Sequence, residues 1–257
     1  MTTFGEEDTA IERLSEPTLS DPIMIEGLPG VGFVGKLVVE QLSEEQDVTP
    51  VARIVSEHLA PQVTVDETGL GSLSSIEINH VRLDGQDLLL VCGDQQAQTG
   101  VGYYRITNAI LDAAASFDVA TIYALGGVPV QGIEGNRAVI GAVSAESLLE
   151  PLAAAGVEFR EEEPAGGIVG VSGLLLGLGA RREQSVACLM GETTTYPVDR
   201  AGARVILEVL ESIASIDIGV ETLGTQADEL EALLRELEDV QEGIVEPDEE
   251  PGLRYID

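Results

Sequence analysis

The chain is short of positive charge. Its 257 residues carry 13 Lys and Arg against 46 Asp and Glu, and Lys36 is the only lysine. No basic stripe exists to neutralise phosphates, so no nucleic-acid partner is expected. Long hydrophobic runs are missing too. The longest, such as LLLVC at 88–92, are too short to span a bilayer, and no membrane partner is expected. The opening stretch MTTFGEEDTAIERL has neither the basic nor the apolar region of a signal peptide. The two cysteines, Cys92 and Cys188, lie in apolar strand-like runs and read as buried, reduced core residues, which together with the N-terminus points to the cytoplasm. His58 and His80 are the only histidines and neither sits in a His- or Cys-rich cluster, so no metal site is expected. A G-x-S-x-G nucleophile elbow is absent; GVSG at 170–173 comes nearest, in a segment that reads as core.

What is present in excess is carboxylate. A net charge of −33 would repel itself strongly in dilute buffer. In molar salt the Debye length falls to roughly 3 Å, and the carboxylates then hold water and cations instead. The acid-rich, lysine-poor bias resembles that of a haloarchaeal cytosolic protein, and in that reading the charge reports the solvent and not a basic partner. An apolar content of 44% is ordinary for a globular protein, and the length allows one sizeable core in one or at most two domains.

Apolar strands alternate with amphipathic helices. PIMIE (22–26), VARIVSEHL (51–59), DLLLVC (87–92), VATIYALGG (119–127), RAVIGAVS (137–144) and SVACLMGET (185–193) read as strands. SLSSIEINHVRL (72–83) runs through Asp84-Gly85 into DLLLVC, a hairpin signal. Helices are expected over 32–43, 99–117, 145–156 and 199–215, with Pro151 bending or breaking the third and a glycine closing it. The glycine-rich stretch 166–182 fits either a helix packed tightly on the sheet or a buried loop-helix. Apolar strands without strict alternation argue for a three-layer α/β domain with a mostly parallel sheet. The organisation expected is a flexible acidic N-terminus (1–20), the α/β domain (21–216), a C-terminal helix (217–242) and a flexible acidic tail (243–257). Leu223, Ala227, Leu230, Leu234 and Leu237 follow one another at spacings of 4, 3, 4 and 3, a two-heptad seam for the body or for another subunit.

One motif suggests a ligand. Gly30-Val31-Gly32-Phe33-Val34-Gly35 matches G-x-G-x-x-G between a strand and a helix, with Glu57 near the end of the next strand. Gly30, Gly32 and Gly35 would then cradle a nucleoside or dinucleotide. Against this stand Pro29, which removes a backbone N–H from the turn, and Gly27, which makes the turn longer than the fingerprint requires. A P-loop is excluded because Leu37 stands where Ser or Thr is needed after Lys36. Asp94 and Glu192 follow strands, where α/β sites form, but read as caps or solvated loop residues.

Taken together, IEGLPGVGFVGKL, LLLVCGDQQAQTGVGYY, IYALGGVPV, GLLLGLG and YPVDRAGARVILEVL resemble the proteasome-assembly-chaperone family in its archaeal and bacterial branch, over about residues 20 to 240. The resemblance implies a fold like that of purine nucleoside phosphorylases without their enzymatic site. It also implies no cofactor, a homo-oligomer, and proteasome subunits as partners. Some archaeal members of the family engage the proteasome through a hydrophobic-tyrosine-any-residue tail. Here Tyr255 is third from the end and Arg254 precedes it, a departure from that tail. The candidates for partner contact are Leu223, Leu230, Leu234, Leu237 and Tyr255. In this reading the glycine turn is a device of packing first and a ligand site only as the alternative.

Overall fold

The structure is a computed structural model that describes residues 8–44, 47–130, 132–133, 136–161, 167–194 and 198–218. The strands are β1 (Thr9–Arg13), β2 (Ile23–Glu26), β3 (Thr49–Ser56), β4 (Val63–Val65), β5 (Gly71–Leu73), β6 (Ile76–Leu83), β7 (Gln86–Cys92), β8 (Thr121–Pro129), β9 (Val139–Val143), β10 (Val157–Glu158) and β11 (Val186–Thr193). The α-helices are α1 (Val34–Glu44), α2 (Gly100–Ser116), α3 (Leu149–Ala154), α4 (Gly170–Arg181) and α5 (Arg200–Ala214). Nine strands form one sheet in the order β1-β3-β6-β7-β2-β8-β11-β9-β10, and β4 and β5 pair apart from it. None of these helices is long and apolar enough to cross a membrane.

The sheet is parallel through its centre, where β7, β2, β8 and β11 run together. These strands are apolar on both faces because both faces are covered. In β7, Leu88 and Leu90 face one core while Leu89 and Val91 face the other, the period-2 alternation of a pleated strand. One core lies under α1, α3 and α5; the second lies under α2 and α4. The expected three layers and parallel centre are present, and the flanking pairs are antiparallel except β9–β10, which is parallel.

Local signals explain the element ends. Asp84 and Gly85 both have positive φ, 48° and 89°, as a two-residue hairpin turn between β6 and β7 requires. The Thr99 hydroxyl accepts from the Gly102 N–H and caps α2, and the Asp199 carboxylate accepts from the Gly202 N–H and caps α5. The 166–182 stretch contains a helix, α4, and Pro151 falls in the first turn of α3, after a single 3-10 turn.

Residues 9–13 depart from the loosely held N-terminus expected from their composition. They pair antiparallel with β3, from Thr9 opposite Ser56 to Arg13 opposite Ala52. Ala10 is buried, Ile11 packs on the second core, and the Arg13 guanidinium lies 4.0 Å from the Phe117 ring centroid. Two small apolar contacts and one cation–π contact hold a segment whose acidity reads as loop. The expected C-terminal helix and tail beyond residue 218 lie outside the described residues.

The entry into α1 is a tight joint in the fold. A methyl group at Gly35 would lie 2.8 Å from the carbonyl oxygen of Leu125 in β8, and backbone cannot yield as a side chain does. Gly30 is extended at φ −149°, and a methyl there would find nothing nearer than the Leu28 carbonyl at 3.9 Å. Gly35→Ala is expected to destabilise the protein by about 3 kcal/mol or more, and Gly30→Ala by less than about 0.5 kcal/mol. Denaturant unfolding in several-molar salt checks this; equal stability of the two variants would refute the joint's role.

Candidate functional site

The carboxyl ends of the parallel strands are where a doubly wound sheet places its ligands. Four segments meet there: the glycine turn after β2, the loop after β7, the first turn of α4, and the end of β11 with Asp199 at the start of α5.

In the turn, Gly32 sits at φ 65° and Phe33 follows at φ 52°, two left-handed residues in succession. The reversal is held by a bond from the Phe33 N–H to the Gly30 carbonyl at 3.0 Å and one from the Asp199 N–H to the Gly32 carbonyl at 2.8 Å. Two of the three fingerprint glycines, Gly32 and Gly35, face protein. A methyl at Gly32 would lie 2.9 Å from the Thr193 hydroxyl, one at Gly27 would collide with the Gly35 carbonyl, and the Val31 carbonyl packs against Gly127. A nucleotide cradle needs its backbone N–H groups free toward solvent. Of the three fingerprint glycines Gly30, Gly32 and Gly35, only Gly30 faces open space.

The loop after β7 ties its neighbours together. The Gln96 amide donates to the Pro29 carbonyl at 2.6 Å, and its oxygen accepts from the Val171 N–H at 3.4 Å. Gln95 donates to Gln62 at 2.9 Å, and the Gln98 N–H to the His58 carbonyl at 3.0 Å. Lys36 pairs with Asp94 and with Glu40, at 3.0 and 3.1 Å. Burial alone would lower the Lys36 ammonium, but these two carboxylates outweigh it and hold it above the ordinary range.

Glu192 and Asp199 also serve structure. Glu192 accepts from the Ala138 N–H and from Arg160, each at 3.0 Å. Asp199 accepts from Thr193 at 2.6 Å and from Arg137 at 2.5 Å. Burial would push the Asp199 carboxyl up; the Thr193 hydroxyl, the Gly202 N–H and Arg137 prevail and hold it below the usual range. His58 and His80 lie apart, His58 beyond the end of β3 and His80 within β6, bonded to Asp87 at 2.8 Å. Among the described residues no group of three or more His, Cys, Asp or Glu is placed to hold a metal ion.

The group that sequence reasoning missed is Glu26, which ends β2 with no exposed surface. Its two oxygens accept from the Leu28 N–H at 3.0 Å and from the Ser172 hydroxyl, within GVSG, at 2.9 Å. Burial pushes the carboxyl up from 4.5 to about 7, against the pull of both bonds. Its only sequence signal is an acid closing an apolar strand directly before the glycine turn. Cys188 lies beneath, its thiol donating to the Ser172 carbonyl at 3.2 Å and pushed far up by burial; Cys92 is half-buried and pushed up to about 11. With Glu26 fully buried and Ser172 partly so, this cluster fixes α4 on β2. The candidates Leu223, Leu230, Leu234, Leu237 and Tyr255 lie outside the described residues.

The chain is similar to known proteins along nearly all of its length. The PAC2 family model matches residues 24–238. The crystal structure of Pyrococcus furiosus PbaB, an archaeal proteasome activator, is 33% identical with a TM-score of 0.79, over 90% of this chain and 99% of that one. Pyrococcus furiosus PbaA, an archaeal homolog of proteasome-assembly chaperone, shares the fold with a TM-score of 0.73 at 23% identity, over 93% of this chain and 100% of that one. An uncharacterised protein of Methanocaldococcus jannaschii is 30% identical over 243 residues, 93% of each chain.

The raised Glu26 carboxyl gives stability a definite pH dependence. Between pH 4.5 and about 7 the folded chain keeps a proton that the unfolded chain has released. Glu26 therefore contributes a stability that falls as pH rises through this window and levels off above it. Glu26→Gln removes that slope, so its stability relative to wild type should rise across the window by about 3 kcal/mol. Chemical unfolding at pH 5 and pH 8 measures it, and parallel pH profiles would contradict the assignment. The filled turn gives a second expectation: NAD or a nucleoside leaves Tm unchanged in several-molar salt, whereas a rise of several degrees would restore the ligand-binding alternative.

Proposed function

Because the chain belongs to the PAC2 family, we propose that it acts as a proteasome-assembly-chaperone-like protein: a non-enzymatic, homo-oligomeric scaffold of the cytoplasm that binds proteasome subunits. The observation that carries this reading is the likeness to the PbaB structure, at 33% identity over 90% of the chain, whose protein is a proteasome activator. The site's chemistry supports it. At the strand ends where an enzyme would expose a nucleophile or a base, Glu26 is sealed, Asp199 and Glu192 are bonded within the fold, and the glycine turn is packed against β8 and β11. What remains outward is surface for another protein.

The mechanism in this reading is binding. A rigid α/β body holds clients by surface complementarity and releases them when a larger contact, made by the assembled particle, competes for the same surface. Tyr255 and the seam of Leu223, Leu230, Leu234 and Leu237 are proposed for partner contact. Affinity capture with the tagged full-length chain from a high-salt lysate is expected to recover proteasome subunits. Removal of residues 253–257 should weaken that recovery if Tyr255 takes part. Failure to recover any proteasome subunit with either form would overturn the proposal.

A further inference from the structure

α4 is a weak helix with one firm end. Its sequence, GVSGLLLGLGAR, places glycines at 173, 177 and 179, each weakening a helix about fivefold relative to alanine. No side chain caps its first turn, and the chain enters it through Gly167 and Gly170, at φ 86° and 83°. The far end is held. Arg182, just past the last turn, donates to Asp112 and Asn108 of α2, each at 2.6 Å, and the Gln184 amide donates to the Leu111 carbonyl at 3.1 Å. The first turn relies on Ser172, whose hydroxyl meets Glu26 at 2.9 Å, and on a long bond of 3.4 Å from the Val171 N–H to Gln96.

Glu26 has no exposed surface and lies on the same face of β2 as Met24, toward α2 and α4. The groups that face it are uncharged. Val91 of β7 and Ala124 of β8 stand opposite it, α4 brings Ser172, and β11 brings the Cys188 thiol, kept neutral by burial and by Glu26 itself. The charges of the two helices on this face are engaged or distant. Arg105 pairs with Asp8 and Asp112 with Arg182, while Arg181 lies about two and a half turns beyond Ser172. Lys36 is taken by Asp94 and Glu40. A buried carboxylate without a cation beside it is costly unless it keeps its proton. The proton also decides the bonding. With it, Glu26 can donate to the Ser172 oxygen and leave that hydroxyl for the Leu125 carbonyl, 3.4 Å away; without it, Ser172 donates to Glu26 and the Leu125 carbonyl loses that donor.

We propose that the Glu26–Ser172 contact is a proton-controlled clasp. While Glu26 keeps its proton, the first turn of α4 is held on β2. Loss of the proton lets that end of the helix lift, hinged at Gly167 and Gly170, while the far end stays fixed to α2. Opening admits water to the carboxylate, which the closed helix denies it. The direction with pH is set by burial. The carboxyl is held up at about 7 with the helix closed and returns toward 4.5 with it open, so opening becomes easier as pH rises from 4.5 and levels off above about 7. Gln96 links this turn to the Pro29 carbonyl, so the clasp also sets how firmly the glycine turn is braced.

Native-state hydrogen exchange of the full chain in several-molar salt, corrected for the intrinsic pH dependence of amide exchange, tests this. Amides from Leu174 to Leu178 are expected to be less protected than those of β8 and α5 at every pH, because α4 opens without global unfolding. Their protection should fall on the order of 100-fold between pH 5 and pH 8. Glu26→Gln, which is neutral throughout, should abolish that fall while α4 remains the less protected element. Gly177→Ala is the control. A methyl there meets nothing within 4 Å, so opening should become about fivefold rarer at every pH with the slope unchanged. Protection of α4 equal to that of β8 and α5 would overturn the proposal, since the helix would then open only with the whole fold. A profile that is flat in wild type, or a slope that survives in Glu26→Gln, would overturn it as well. Wild type and Gly177→Ala decide the question even where Glu26→Gln does not fold. None of these results bears on the scaffold reading, which stands or falls on the capture of proteasome subunits.

Discussion

The structure depends on one close approach, that of the first turn of α1 to the backbone of β8. Gly35 lies against the Leu125 carbonyl, and everything on that face of the sheet follows from how near α1 can come. At this distance Val34, Leu37, Val38 and Leu42 reach the pleat directly and join Leu88, Leu90 and Tyr123 in one core. A helix held even 1 Å farther out would open gaps along its whole length, and such gaps forfeit dispersion contacts as well as burial. The chain reaches this position through two left-handed residues, Gly32 and Phe33, of which the second carries a side chain and is strained by about 1 kcal/mol. Asp199 holds that reversal from the other side of the joint, donating its N–H to Gly32 while its carboxylate starts α5. The starts of α1 and α5 are thus tied together by one short stretch of backbone and one aspartate.

The same contact explains why a nucleotide-like sequence occurs without a nucleotide cradle. Glycines permit close approach by anything, whether phosphate or protein. In a cradle the approaching group is a ligand anion and the N–H groups stay open; here it is the backbone of β8, the carbonyl of Val31 against Gly127, and the hydroxyl of Thr193. Once those positions are filled, the polar atoms of the strand ends can satisfy only one another. Glu26 meets Ser172, Gln96 meets Pro29, and Glu192 meets Arg160. These pairings spend the polar groups of the strand ends on holding α1, α4 and α5 to the sheet.

Much of this was legible in the sequence, and the remainder has physical reasons for being hidden. The central strands announce themselves because burial on both faces demands continuous apolar runs. Asp84-Gly85, Thr99 and Asp199 announce the turn and caps because those backbone positions ask for those residues. β1 was hidden because an edge strand needs only Ala10 and Ile11 inside, and its acidic surroundings read as loop. The β4–β5 hairpin was hidden because none of its residues is buried, so no core-facing alternation exists to detect. The direction of β9 depends on β11 entering between it and β8, a fact of later chain that no local pattern carries. Glu26 was hidden for a similar reason: its proton is set by burial and by Ser172, 146 residues away.

Charge completes the picture. Cations are scarce, and Arg53, Arg137, Arg182 and Lys36 each pair with a carboxylate of the fold. A chain using its cations in this way has few left for ionic recognition of a partner. Association of two such acid-rich surfaces then has to rest on apolar contact, which salt strengthens, while salt also screens the repulsion that opposes it. Ionic contacts weaken as salt rises, so a chain of this composition has more to gain from apolar than from charged contact with a partner.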